Sequence, residues 1–164
     1  MRPTFFLHND PTQPLRAGGI LFYKYSRDIA DFELLMMYTR GQFEDFGGCT
    51  DEQDNDIIDT VTREAEEESN GVFKREELKE RLVGIEPIYV KLGKYALYCV
   101  ELTQYYDPAL FGDMELHDNI SRTVKWIPYE NFNNPEFIKK LHFRLNQQII
   151  LQHLKVLLCV DQFA

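Results

Sequence analysis

The 164-residue chain is 44% apolar and carries a formal charge of −9 at pH 7. That length and apolar share suit a single domain over residues 1–164 with a full core. The acidic balance repels nucleic-acid phosphates, so a nucleotide ligand needs metal ions or a local basic patch to offset it.

Residues 1–15, with Pro3, Pro11 and Pro14, read as an irregular lead-in. The opening MRPTFFLHND lacks the apolar run of a signal peptide, and no stretch approaches a membrane span, so a cytoplasmic location is expected. Ala17 to Tyr25 and Phe32 to Tyr38 alternate as an antiparallel pair of strands joined by a polar turn. Thr39 to Phe46 then leads into Gly47-Gly48, with Arg40 just before it. Lys74 to Arg81 is a short charged helix, and Leu82 to Val90 a strand broken by Pro87. Gly93-Lys94 turns the chain into a strong strand, Tyr95 to Leu102, whose Tyr95 and Tyr98 are either sheet packing or a stacking surface for a base. Thr103 to Arg122 has little periodicity and carries Asp113, Glu115, His117 and Asp118. Thr123 to Pro128 is a short strand with Trp126 as a core anchor. From Glu136 to about Val160, Phe137, Leu141, Leu145, Ile149 and Leu154 mark one long C-terminal helix, residues 136–160, apolar enough to leave room for a homodimer. Cys49, Cys99 and Cys159 are scattered and form no CxxC, so neither a zinc site nor a disulfide framework is indicated.

The stretch between Gly47 and Gly71 organises the rest. Asp54, Asn55 and Asp56 precede Ile57-Ile58, which places a helix N-cap there, and Asn70-Gly71 supplies the left-handed end. Ile57, Val61 and Ala65 form its apolar stripe. Glu64 and Glu68 flank that stripe one turn apart, with Glu67 beside Glu64, while Asp59 and Glu66 point away. Carboxylates leaning toward a core need compensation, and a hard divalent cation suits three clustered acids. An EF-hand is excluded: counted from Asp51 or Asp54, both the sixth-position glycine and the twelfth-position acid are missing.

This stretch resembles the Nudix box of the Nudix hydrolases. Arg63-Glu64-Ala65-Glu66-Glu67-Glu68 fits the R-E-U-x-E-E core of that motif, U being an apolar residue, without a gap. The flanks depart from it: the run from Gly48 to Arg63 is one residue longer, Asn55 falls where the early glutamate stands, and Gly71 comes one residue late. The order of elements suggests an α/β/α sandwich on a mixed β-sheet, and the resemblance implies the same Nudix-type α/β fold.

The resemblance implies Mg2+-dependent (or Mn2+-dependent) hydrolysis of a diphosphate linkage in a small nucleoside diphosphate derivative. Glu64, Glu67, Glu68 and the Gly48 carbonyl would hold metal, completed by an acid from the long loop, Glu115 first and Asp118 second. Glu64 or a loop acid would act as base, with His117 as a further candidate, and Glu67 would join the catalytic set. Arg63 would brace the site by pairing with Asp54 or Asp56, and Arg40 would contact phosphate. The alternative is a catalytically inactive Nudix-like module that binds nucleotide or protein. Within the enzymes, mRNA decapping and diphosphoinositol polyphosphate hydrolysis stay open, although the acidic balance disfavours long RNA.

Overall fold

The computed structural model describes residues 1–159. The lead-in is more ordered than its prolines suggest. Strands β1 (Phe5–Phe6) and β2 (Pro14–Leu15) pair antiparallel, and the buried Leu7 and Leu15 pin the ribbon to the core.

Strands β3 (Ala17–Ser26) and β4 (Asp31–Thr39) form the expected antiparallel pair. β5 (Gln42–Glu44) folds back on β4. β6 (Phe46–Cys49) then lies beside the first half of β3, with Gly48 opposite Gly18 and Gly47 opposite Gly19. Helices α1 (Ile57–Glu68) and α2 (Arg75–Leu82) cross one face of the sheet. That crossover lets β8 (Tyr95–Glu101) return parallel to β3, after the short β7 (Ile88–Val90). β9 (Met114–Glu115) and β10 (Ile120–Ser121) make a small hairpin, and β11 (Thr123–Pro128) joins β4. Helices α3 (Pro135–Ile138) and α4 (Gln148–Leu157) cover the other face. The seven-stranded sheet has the order β11-β4-β3-β8-β7, with β5 and β6 paired to β4 and β3.

Alternation along the strands divides the core in two. Ile20, Phe22, Leu35, Met37, Ala96 and Tyr98 face Val61 and Ala65 of α1. Leu21, Leu34, Met36, Tyr95 and Leu97 face Phe137, Leu141, Ile150 and Leu154. A sheet apolar on both faces requires cover on both, and the expected α/β/α sandwich on a mixed sheet results. Tyr95 and Tyr98 are both buried, which removes them as stacking surfaces for a base. Trp126 is only partly buried: it stacks on Tyr105 and donates its indole N–H to the Tyr106 carbonyl at 2.8 Å.

The single helix expected over 136–160 is not formed. Asn134 caps α3 by accepting from the Glu136 amide at 2.9 Å, and the helix ends after one turn. The chain then runs beside β5: the Phe43 amide donates to Lys140 at 2.8 Å and the His142 amide to Phe43 at 2.9 Å. Leu141 and Leu145 still reach the core, so the four-residue apolar spacing survives although the helix does not. No glycine or proline marks the break; the unpaired edge of β5 competes for those backbone groups and wins. Ile149, read as part of the apolar face, is exposed. The expected helix end near Val160 lies outside the described residues. Among the described residues no helix is long and apolar enough to cross a membrane.

Candidate active site

Helix α1 begins where the acidic run predicts. Asp56 is the N-cap and accepts from the Asp59 amide at 2.8 Å, while Asp59 accepts from the Asn55 amide at 2.8 Å. Asp54 plays a different part. Buried, it accepts from Arg63 Nε and Nη2 at 3.0 Å each, from Thr60 at 2.8 Å and from the Asp51 amide at 2.9 Å. Between the two acids that the sequence offers Arg63, the structure therefore selects Asp54. Burial raises the Asp54 carboxyl, but the hydrogen bonds from Arg63, Thr60 and Asp51 outweigh it and hold the group below its usual range.

The rest of the Arg63 fork ties helix to strand. Nη2 donates to the Cys49 carbonyl at 2.9 Å, and Nη1 to Glu64 at 3.0 Å and Glu67 at 3.4 Å. Burial would lower this guanidinium's affinity for its proton, but Asp54 and Glu64 more than restore it. Arg63 is thus a buried fixed charge with a carboxylate on either side.

Glu64 lies against Gly48, where a Cβ would overlap its carboxylate. Glycine is required at this position to let the acid approach the strand. Burial is the main reason Glu64 is pushed up to about 7; Arg63 opposes this, while Glu67 and Asp118 add to it. Glu68 accepts from the Gly47 amide at 2.6 Å. Burial first, then the neighbouring Glu64, raise Glu68 well above the ordinary carboxylate range. Glu66 turns away, bonded to the Arg75 side chain at 2.8 Å and its amide at 2.9 Å. The outward direction expected of Glu66 on helical periodicity is the one observed.

The long loop is built more firmly than its sequence suggests. Asn70, in the left-handed conformation at φ 55°, donates to the carbonyls of Phe111 and Met114 at 2.8 and 2.9 Å. It accepts from the Leu116 amide at 2.9 Å. The buried Arg122 donates to the carbonyls of Gly112, Glu68 and Phe111 at 2.7, 2.8 and 3.0 Å. These bonds clamp the loop to the end of α1 and bring His117 Nε2 within 3.7 Å of Glu67.

The two loop acids differ in their surroundings. Glu115 is buried, and its two carboxylate oxygens accept from the His117 and Asp118 amides at 3.1 and 2.9 Å. Glu115 therefore shapes the loop from within, and Asp118 is the loop acid whose charge is felt at Glu64. Arg40 sits exposed at the β4–β5 turn with φ 54°, and makes no hydrogen bond or ion pair with the α1 carboxylates. The structure thus brings Gly48, Arg63, Glu64, Glu67 and Glu68 together, and neither Arg40 nor Glu115 is bonded to that group.

Two further residues, Asp45 and Arg144, adjoin this site and carried no sequence signal. They are bonded to each other at 2.7 Å across 99 positions of chain. A separation of that size has no local pattern by which to announce itself.

Among the described residues no group of three or more acidic, histidine or cysteine side chains already converges on a point that a metal ion would take. The donor chemistry nevertheless suits a hard cation. Glu64, Glu67 and Glu68 offer oxygen ligands beside a glycine strand, and Arg63, which bonds Glu64 and Glu67, is shared with Asp54.

The fold is that of the Nudix hydrolases. Two crystal structures of the C. elegans Ap4A hydrolase, one of them a binary complex, each match at a TM-score of 0.50 and 18% identity. The match covers 87% of this chain and 96% and 98% of those chains, and at this identity it speaks for the fold alone. No family model matches the chain, and no curated protein matches it.

Proposed function

We propose that the protein is a divalent-metal-dependent pyrophosphohydrolase acting on a diphosphate linkage in a small nucleotide derivative. The observation that carries this reading is the Arg63-braced carboxylate cluster packed against Gly48. Asp54, Glu64 and Glu67 around one buried arginine form a costly arrangement for a protein with no use for it.

Glu64, Glu67, Glu68 and the Gly48 carbonyl would hold Mg2+ or Mn2+. When bound, the ion supplies neutralisation of phosphoryl charge and a lowered pKa for coordinated water. The chain's own residues do the remainder. Arg63 is a positioning residue that fixes the Asp54 loop, the Cys49 carbonyl and the helix as one unit. The α1 carboxylates share one helix, and the loop clamped by Asn70 brings His117 to Glu67. Glu64 or the loop acid Asp118 would take the proton from water.

A dinucleoside polyphosphate such as Ap4A leads the substrate panel, because the neighbours that share the fold are named as Ap4A hydrolases. The test is phosphate or nucleotide release from nucleoside triphosphates, ADP-ribose, Ap4A, a diphosphoinositol phosphate and capped RNA, each with Mg2+ and with EDTA. Mg2+-dependent cleavage of one compound supports the reading and identifies its class. No cleavage of any, with nucleotide still bound, would contradict it in favour of a binding module.

A further inference from the structure

A second set of charged side chains lies beneath the α1 carboxylates, and the chemistry above does not use it. Asp45 joins β5 to β6 and is fully buried. It accepts from Arg144 Nε at 2.7 Å and from the Tyr95 hydroxyl at 2.5 Å. Arg144 also donates to Glu44 at 3.4 Å, and its guanidinium lies 5.0 Å over the Tyr95 ring. Arg144 arrives from the stretch that interrupts the expected C-terminal helix, pinned to β5 through Phe43. Removing one partner of such a buried pair strands the other without water, so displacing this segment is costly.

The set reaches the site through two glycines. Gly47 lies two residues beyond Asp45, and its amide donates to Glu68 at 2.6 Å. The Tyr95 hydroxyl fills the space that a Cβ at Gly19 or Gly47 would need. Strand β6 is therefore seated on Tyr95 and tethered at Asp45, and its next residue, Gly48, carries the carbonyl assigned to metal.

We propose that Arg144 is a positioning residue of the active site, holding Asp45 and Tyr95 so that β6 presents the Gly47 amide to Glu68 and the Gly48 carbonyl to the ion. The inference rests on the hydrolase reading and extends its machinery to a segment far from the motif. Mutating residues that orient metal ligands from behind typically costs about 10- to 100-fold in metal affinity or activity.

The test uses the full chain as wild type, Arg144→Lys and Tyr95→Phe. The lysine keeps the charge but loses the fork, and the phenylalanine keeps the ring but loses the bond to Asp45. If Arg144→Lys does not fold, the milder Tyr95→Phe carries the test. Amide hydrogen exchange is followed at Gly47 and at Val61 in the middle of α1, and Mn2+ alone is titrated into each protein. The expected result is faster exchange at Gly47 with Val61 unchanged, and Mn2+ affinity weaker by about ten-fold or more in each variant that folds. Equal acceleration at Gly47 and Val61 would show a merely structural role and overturn the proposal. Wild-type binding of Mn2+ with undiminished affinity in the variants would overturn it too, leaving the hydrolase reading intact. A wild type that takes up no Mn2+ would overturn both.

Discussion

Arg63 and Asp54 face each other as a two-pronged pair, Nε to one carboxylate oxygen and Nη2 to the other, both at 3.0 Å. Both side chains are buried. The pair closes the loop between β6 and α1 onto the helix.

Breaking this pair should unfold the site before it affects anything else. A buried ion pair that loses one partner typically costs about 3–5 kcal/mol. For Arg63→Ala that corresponds to a fall in melting temperature of roughly 6–20 °C in a chain of this size, together with loss of activity. Thermal melts decide the matter, and an unchanged midpoint would remove Arg63 from its role as a brace.

The same loop sets an acid limit. Asp54 is held below its usual range, burial opposed and outweighed by its hydrogen bonds. Asp59 is also held low, chiefly by the Asn55 amide. A carboxyl whose folded pKa is depressed adds stability above its unfolded pKa of about 3.9, and loses it as pH falls through the folded value. The melting temperature should therefore fall steeply below about pH 4, and less steeply in Asp54→Asn. Identical acid slopes for the two proteins would contradict the assignment.

Glu68 predicts opposite effects on stability and rate. Burial and Glu64 make its ionised form unfavourable, so Glu68→Gln relieves charge at a crowded place. We expect the metal-free variant to melt at or above the wild-type temperature while turnover falls on the order of a hundred-fold. A variant that is both less stable and fully active would reverse the account.

Asn70 tests the loop clamp. Asn70→Gly keeps the left-handed backbone at φ 55° but removes the side-chain bonds to Phe111, Met114 and Leu116. The Leu116 amide should then exchange faster and turnover should drop, with α1 amides unaffected. Unchanged exchange at Leu116 would show that Arg122 holds the loop unaided.

How far the sequence told this story depends on the range of each interaction. Helix α1, its cap, its stripe of Ile57, Val61 and Ala65, and the outward turn of Glu66 are all local, and periodicity is enough to read them. The pairing of β3 with β4 follows from alternation around a short turn. The choice of Asp54 over Asp56 was not legible, because both are acids at the same loop and only the fold decides which is capped and which is paired. The surroundings of Glu115 were illegible for a related reason. Composition marks it as a free loop acid, yet it turns inward to satisfy two amides of its own turn. The broken C-terminal helix and the Asp45–Arg144 pair were out of reach altogether, since each depends on a partner that only the folded sheet edge supplies.

The central claim is that the α1 carboxylates perform metal-dependent diphosphate hydrolysis. The most direct measurement is turnover of the best substrate by wild type and Glu67→Gln, with Mg2+ and with EDTA, each protein's fold checked by its melt. The account predicts cleavage only by wild type with Mg2+, and a variant that melts like wild type but is inactive. Equal cleavage by both proteins, or cleavage that persists in EDTA, would contradict it.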